Sequence, residues 1–319
     1  MNSVTVSSKR FLVPGLFFLI LVALATFPLY GAYNVVLLTA IIMYIVLTVS
    51  WTMFSGPTGY ISLAPAAFFG VGIYTMAILG DELPLLAVVA AGGLFSFILA
   101  LIVGTITLRL RGVYFAIFTF GLVVLIKELL LFWEITITGT RGRFVVLESN
   151  TTIYYVMLGI FVVLMLTAYF IRRSRFGAAL QSIGENEEAA AHIGINVTFV
   201  KVITFAISAI FIGAAGAIMA TRWTYVDPYV AFNPLFSFLP VLMAIFGGMG
   251  QLYGPVLGAA IFAYTEEILL TRFPYYYMLT FGIILVLVIL YLPNGLVGLV
   301  QGLVQRWRKG GKAEQHANT

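Results

Sequence analysis

Apolar stretches long enough to cross a membrane fill most of this chain. They cover residues 11–29, 34–54, 55–79, 83–107, 113–133, 153–171, 202–221, 231–270 and 275–292. A helix needs about 20 apolar residues to cross the hydrocarbon core of a bilayer. Charged residues make up only 9% of the 319 residues, whereas about a quarter of a soluble domain is charged. The pattern predicts an all-α, polytopic membrane protein in which residues 1–319 form a single transmembrane domain.

Glycine and proline interrupt two of these stretches, at residues 56–72 and 247–258. Backbone groups freed by such breaks cannot face lipid, so broken helices are tolerated where protein covers them or where they line a cavity. Paired breaks in the two halves of a transporter point to its pathway. The alternative interpretation is that the small residues at these breaks let neighbouring helices pack closely. The predicted pathway residues are Gly56, Thr58, Gly59, Ser62, Pro65, Phe68, Phe69, Gly247, Gly248, Gly250 and Pro255.

Basic residues between the apolar stretches indicate the orientation of the chain. Counting both broken stretches as crossings gives about ten spans, or eight to ten if one of them only re-enters. With the N-terminus inside, one set of loops then contains Lys9, Arg10, Arg109, Arg111, Arg172, Arg173, Arg175, Lys201, Arg306, Arg308, Lys309 and Lys312. The other set contains only Arg141, Arg143, Arg222 and Arg272. Because basic loops stay on the cytoplasmic side, both termini, the segment 172–201 and the basic tail 302–319 are predicted to be cytoplasmic.

The segment 172–201 is the one sustained polar stretch between spans. Ser182 and Glu185 fit a capping box, which predicts a short helix over residues 183–193. Glu185, Glu187 and Glu188 would lie in its first turn, where the helix dipole favours negative charge, and Gly194 would end it. Such a helix is suited to docking a partner in the water.

Several functions lack their sequence signals. The chain has no cysteine and only two histidines, so neither thiol chemistry nor a metal site is predicted. No GxxxxGK[ST], GxSxG or HExxH pattern occurs, which argues against ATP binding through a P-loop and against a hydrolase. The basic residues form no nucleic-acid-binding face. We therefore predict a protein that is not an enzyme and carries no cofactor of its own.

Five blocks in order resemble one family. Glu188, Ala189, Ala190 and Gly194 fit the EAAxxxG loop of ABC-importer permeases. The wider stretch 185–197, with residues 58–75, 108–121, 247–260 and 292–299, resembles the branched-chain amino acid permease family, its LivM-like subunits in particular. The chain has Ala64-Pro65 where the family usually has Gly-His or Gly-Gln, and it also departs from the family at residues 139–143.

The resemblance implies a permease fold and a set of partners. These are a second homologous permease, two cytoplasmic ATPase subunits that bind ATP, and an external solute-binding protein, all assembled at the inner (plasma) membrane. The helix 183–194 would couple ATP hydrolysis to transport of branched-chain or related hydrophobic amino acids. Urea or short amides are an alternative cargo, and a stand-alone secondary carrier is an alternative class. The loop containing Arg141 and Arg143 either contacts a partner or is a solvated turn.

Overall fold

A computed structural model of the chain describes residues 32–273 without a gap, with residues 24, 26, 275, 276, 279, 282, 283, 286, 295, 296 and 298. In residues 32–273 the α-helices are α1 (Ala32–Thr58), α2 (Pro65–Leu79), α3 (Leu85–Thr107), α4 (Val113–Trp133), α5 (Asn150–Arg173), α6 (Arg175–Glu185), α7 (Glu187–His192), α8 (Val197–Ala220), α9 (Pro228–Ala231), α10 (Leu235–Gly247) and α11 (Tyr253–Arg272). Helix α4 continues into a π-helical turn, Glu134–Thr138. Two short strands, β1 (Arg143–Phe144) and β2 (Tyr225–Val226), pair antiparallel.

Six helical segments in the described residues are long and apolar enough to span a membrane: 34–58, 85–107, 113–138, 150–173, 197–220 and 228–247. Helix α2 is apolar but has only 15 residues. The predicted spans at 11–29 and 275–292 lie largely outside the described residues. The polytopic, helical architecture is confirmed, and the number of about ten crossings stays a prediction.

Helix α8 forms the centre of the bundle. Nearly all its residues between Val200 and Ala220 are buried, and helices α2 and α3 pack along it. The three helices meet at glycines, and a Cβ added to Gly72 would lie 1.9 Å from the Gly213 carbonyl oxygen. Small residues therefore set how closely these helices approach.

The loops fall on two opposite faces, as the charge pattern predicts. At one face, Arg111 lies 3.6 Å from Glu188, and Arg172 donates a 2.9 Å hydrogen bond to the Gly250 carbonyl oxygen. This face carries segment 172–201 and is called the polar-segment face below. Helix α8 runs from it over 24 residues, about 36 Å, to the strand pair on the opposite face. Which face is cytoplasmic stays a prediction.

The loop with Arg141 and Arg143 is built into this opposite face. Arg141 donates a 2.7 Å hydrogen bond to the Asp227 carboxylate. Arg143 lies 4.0 Å from Glu134, whose side chain is 1% exposed and accepts from the Gly142 amide at 2.8 Å. Both arginines thus contact acidic groups of this chain, so the loop is more than a solvated turn, and a partner contact at this loop stays untested.

Candidate coupling and translocation site

The polar segment folds as two helices on a small core of its own. Helix α6 buries Leu180 and Ile183, and α7 buries Ala190, against Val200 at the start of α8. Gly184 brings α6 onto the end of α1, because a Cβ there would lie 1.9 Å from the Pro57 carbonyl oxygen. The segment is therefore packed firmly against the bundle.

The predicted capping box is wrong. The structure divides the predicted helix 183–193 at Asn186, whose backbone is extended and whose side chain accepts from the Glu188 and Ala189 amides, both at 3.0 Å. Ser182 lies within α6, and its hydroxyl donates to the Ala178 carbonyl oxygen. Asparagine caps as well as serine does, and this one precedes two glutamates that suit the first helical turn. Glu185 instead ends α6.

Gly194 ends α7, as predicted. It has φ +90°, a left-handed conformation that glycine adopts at little cost. The Gly194 amide donates to the Ala191 carbonyl oxygen and the Ile195 amide to that of Ala190, which is the Schellman arrangement. Ile195 then packs against the small core that contains Ala190. The end of α7 is fixed by both hydrogen bonding and packing.

A buried lysine joins α7 to the bundle. Lys201, on α8, is 2% exposed, and its Nζ lies 2.8 Å from Glu187 Oε1. The same Nζ donates to the Tyr60 hydroxyl and to the Leu108 carbonyl oxygen, each at 3.2 Å. The Tyr60 hydroxyl donates to Glu187 Oε2 at 2.7 Å. We call Glu187, Lys201 and Tyr60 the inner cluster. Lys201 ends the polar segment 172–201, and neither its burial nor this cluster is predicted from the sequence.

The charge of Glu187 is favoured by its surroundings. Burial by itself raises the pKa of this carboxyl, but hydrogen bonds from Lys201 and Tyr60 and the positive charges of Lys201 and Arg111 outweigh it. The pKa of Glu187 is therefore lowered from its ordinary value, and the group is ionised at neutral pH. Lys201 thus has a charged partner, which a buried ammonium requires.

The other predicted coupling residues differ in exposure. Glu188 is exposed, with only Arg111 beside it, and Ala189 is exposed as well. Ala190 is buried, so it supports α7 from below. Glu185 is exposed at the end of α6. The structure brings these residues together on the polar-segment face.

The predicted break 56–72 is irregular only over residues 59–64, called the first break here, which connect α1 to α2. Side chains of the bundle bond the backbone of Ser62 and Leu63 in this loop. The Leu63 amide donates to the Thr119 hydroxyl at 2.9 Å, and Ser237 donates to the Leu63 carbonyl oxygen at 2.8 Å. Ser237 also accepts from the Ala66 amide, and the Trp51 indole donates to the Ser62 carbonyl oxygen. The three side-chain partners of these four hydrogen bonds, Trp51, Thr119 and Ser237, come from α1, α4 and α10. This meets the requirement that protein cover irregular backbone at membrane depth.

Residues 248–252, the second break, connect α10 to α11 at the polar-segment face. The two helices touch through glycines, and a Cβ on Gly247 would lie 2.0 Å from the Gly254 carbonyl oxygen. Gly248 has φ +95°. A Cβ on Gly56 of α1 would lie 3.6 Å from the Met249 carbonyl oxygen, so the second break lies beside the end of α1.

A cavity of about 440 Å³ opens at this meeting point. Its walls come from the end of α1, from α5 and α6, and from the second break, and they include both Arg172 and Glu185. Of the predicted pathway residues, Gly56, Gly250 and Pro255 line it. Ser62, Pro65 and Phe68 line a crevice of only about 10 Å³ beside Phe205 and Ser208. The other predicted pathway residues line neither the cavity nor the crevice; they are Thr58, Gly59, Phe69, Gly247 and Gly248.

Tight packing accounts for part of this predicted pathway set. Phe69 is fully buried, with its ring centroid 4.4 Å from that of Phe236, and Gly247 serves close helix contact. Some residues of the breaks thus line a cavity and others serve helix packing, and a role in the pathway stays a prediction. Within the residues that the structure describes, no group of three or more acidic or histidine side chains could hold a metal ion.

The described residues form a bundle with six helices long enough to span a membrane, two glycine-containing breaks and a polar segment packed on it, which is the architecture of a polytopic membrane protein. Residues 34–289 match the family described as branched-chain amino acid transport system / permease component, and the chain belongs to that family. It is similar to the high-affinity branched-chain amino acid transport system permease protein LivM of Salmonella typhimurium, at 27% identity over 98% of this chain and 80% of the relative. It is also similar to BraD of Pseudomonas aeruginosa, a permease protein of the same kind of system, at 27% identity over 80% of this chain and 91% of the relative. No solved structure matches the chain.

Proposed function

We propose that this chain is the membrane-spanning permease subunit of an ABC importer for branched-chain amino acids. The observation that carries the proposal is helix α7, which presents Glu188 and Ala189 to solvent while Asn186, Ala190 and Gly194 anchor it. The family match and the printed names of LivM and BraD support the transport role and the cargo class.

Coupling is proposed to occur at the polar-segment face. Two cytoplasmic ATPase subunits would bind ATP, and one of them would dock on α7 through Glu188 and the exposed side of Ala189. Because α6 and α7 are packed against α1 and α8, movement of the docked ATPase would move those spans. This chain itself would not hydrolyse ATP.

The inner mouth of the pathway is proposed to lie at the 440 Å³ cavity. Its size falls within the range of small-molecule sites, and it combines apolar walls with a few polar groups. Cavity-lining side chains would meet the hydrophobic part of the solute, while backbone dipoles at the breaks would meet its charged ends. A second, homologous permease would complete the pathway, and a solute-binding protein would deliver cargo at the opposite face.

The arrangement in the membrane is part of the same proposal. About ten crossings would form a single domain over residues 1–319, with both termini and segment 172–201 in the cytoplasm. The excess of basic residues on that side supports this orientation.

The test is coupling in the reconstituted complex. Replacing Glu188 by lysine, or Gly194 by valine, should reduce solute-stimulated ATP hydrolysis about 5-fold or more. The first reverses a charge of the docking surface, and the second strains the left-handed residue that ends α7. Gly159→Ala on α5 is the control, since a Cβ there meets nothing within 4 Å. Unchanged stimulation in both variants would contradict the coupling role. Gradient-driven uptake by the chain alone in liposomes would favour a secondary carrier instead.

A further inference from the structure

Two adjacent glutamates of α7 point in different directions. The Glu188 side chain is 77% exposed, whereas that of Glu187 is 22% exposed and faces the bundle. Successive residues on a helix lie about 100° apart, so the pair divides its contacts between outside and inside. Glu188 is available to a partner in the water, whereas the carboxylate of Glu187 contacts other residues of this chain.

The inner cluster connects α7 to three separate elements. Lys201 belongs to α8, Tyr60 to the first break, and the Leu108 carbonyl oxygen, which also accepts from Lys201, to the end of α3. Arg111, in the loop before α4, lies 3.9 Å from Glu187 Oε2. The inner cluster is thus the point where the polar segment is tied to the bundle by polar contacts.

Burial makes this connection hard to break. An ammonium that is 2% exposed cannot lose its carboxylate partner without leaving a buried charge unpaired. The cluster is therefore expected to move as one body when α7 is displaced. Its Tyr60 ring packs edge-on against Phe115 at 5.5 Å between centroids, and near Phe54.

Tyr60 is the residue that joins the inner cluster to the first break. It is the second residue of the six-residue loop 59–64, whose other end is held by Thr119 and Ser237. Ser62, between these points, lines the narrow crevice together with Pro65 and Phe68. A displacement of Tyr60 would therefore act on the backbone of the loop 59–64.

We propose that the inner cluster of Glu187, Lys201 and Tyr60 is the joint through which movement of α7 is passed to the first break. Glu188 meets the ATPase and Glu187 transmits the movement inward, with Lys201 and Tyr60 as positioning residues. This inference rests on the proposed function and adds the inward half of the coupling.

The experiment uses the complete reconstituted importer with variants Tyr60→Phe and Lys201→Met. Tyr60→Phe removes one hydroxyl and keeps the ring contacts. Lys201→Met removes the buried charge and leaves Glu187 beside Arg111 and partly solvated. Glu187→Gln alone is avoided, because it would leave Lys201 charged and unpaired. Thr204→Val is the matched control, since Thr204 is buried one turn along α8 and its hydroxyl bonds only to the Val200 carbonyl oxygen.

Two ratios are measured: solute-stimulated over basal ATP hydrolysis, and solute imported per ATP hydrolysed. Both should fall about 5-fold or more in Tyr60→Phe and Lys201→Met and stay unchanged in Thr204→Val. A merely structural cluster would lower the amount of assembled complex without changing either ratio. If Lys201→Met does not assemble, Tyr60→Phe decides.

Unchanged ratios in Tyr60→Phe, with a loss in Glu188→Lys, would overturn the joint and leave the proposed function standing. Unchanged ratios in both would overturn the coupling role of α7 as well. If both ratios fall in Tyr60→Phe and in Lys201→Met but not in the control Thr204→Val, the result supports the inner cluster as the joint.

Discussion

Gly184 lies where α6 crosses the end of α1. An added Cβ would lie 1.9 Å from the Pro57 carbonyl oxygen, and backbone cannot move aside as a flexible side chain can. We expect Gly184→Ala to destabilise the fold by about 1–3 kcal/mol, as overpacking usually does. Thermal unfolding in detergent would measure this, with Gly159→Ala as control. A variant as stable as its parent would show that α6 is not held against α1.

The lowered pKa of Glu187 sets how the inner cluster responds to acid. A carboxyl whose pKa is lower in the folded chain stabilises the fold above its ordinary pKa of 4.5. That contribution is lost as the pH falls below 4.5, through the folded-state pKa. We expect the unfolding temperature of the parent minus that of Lys201→Met to fall as the pH is lowered below 4.5, because the parent then loses the contribution of the ionised Glu187. A difference that does not fall below pH 4.5 would contradict this.

At this scale the sequence predicts local features better than distant ones. Gly194 was predictable because the signal for a helix end lies within a few residues of it. Lys201 was missed because its partner Tyr60 lies 141 positions away. One signal was present: Lys201 shares a helical face with Phe205, Ser208 and Ile212, all buried, so its position in that pattern indicates burial.

Among the helices, α7 depends on its cap. Asn186 satisfies two amides of a six-residue helix, which has few other backbone bonds of its own. Asn186→Ala should cost about 1 kcal/mol and speed amide exchange at Glu188 and Ala189. Ser182→Ala is the matched control, because Ser182 caps nothing, and its exchange pattern should match the parent's. If the Glu188 and Ala189 amides exchanged equally slowly in both variants, Asn186 would not be the residue that caps α7.

The error about Ser182 has a physical source. Both Ser182 and Asn186 precede glutamates and both can cap, so local sequence leaves the choice open. Packing decides it: burial of Leu180 and Ile183 keeps α6 helical through residue 185, and Ser182 then lies inside the helix. Boundaries that depend on tertiary packing cannot be read from spacing alone.

For the whole molecule, the absence of cysteine in the sequence gives a direct test of orientation. Single cysteines at Thr140 and Arg175, both exposed, lie on opposite faces. A maleimide that cannot cross membranes should label Thr140→Cys in spheroplasts, and Arg175→Cys only after the membrane is permeabilised. The reverse pattern would invert the proposed topology and place α7 outside the cytoplasm.

The overall architecture was predictable because apolar length and basic loops act over whole segments. Among the described residues, the six helices long enough to span a membrane and the division into two faces follow from those patterns. Which residues of the breaks line the cavity and which serve helix packing could not be predicted, since Gly56 and Gly247 look alike in sequence. Only their neighbours, Met249 for one and Gly254 for the other, separate their surroundings.

The first break has a consequence for water. The Leu63 amide donates to Thr119, while Ser237 and Trp51 donate to the Leu63 and Ser62 carbonyl oxygens, and lipid chains can replace none of these bonds. Any movement of residues 59–64 that breaks these bonds must therefore admit water to the freed groups, since leaving them dry is costly. Opening and wetting of the bundle would be one event, and faster deuterium exchange at the Leu63 and Ala66 amides during ATP turnover would record it.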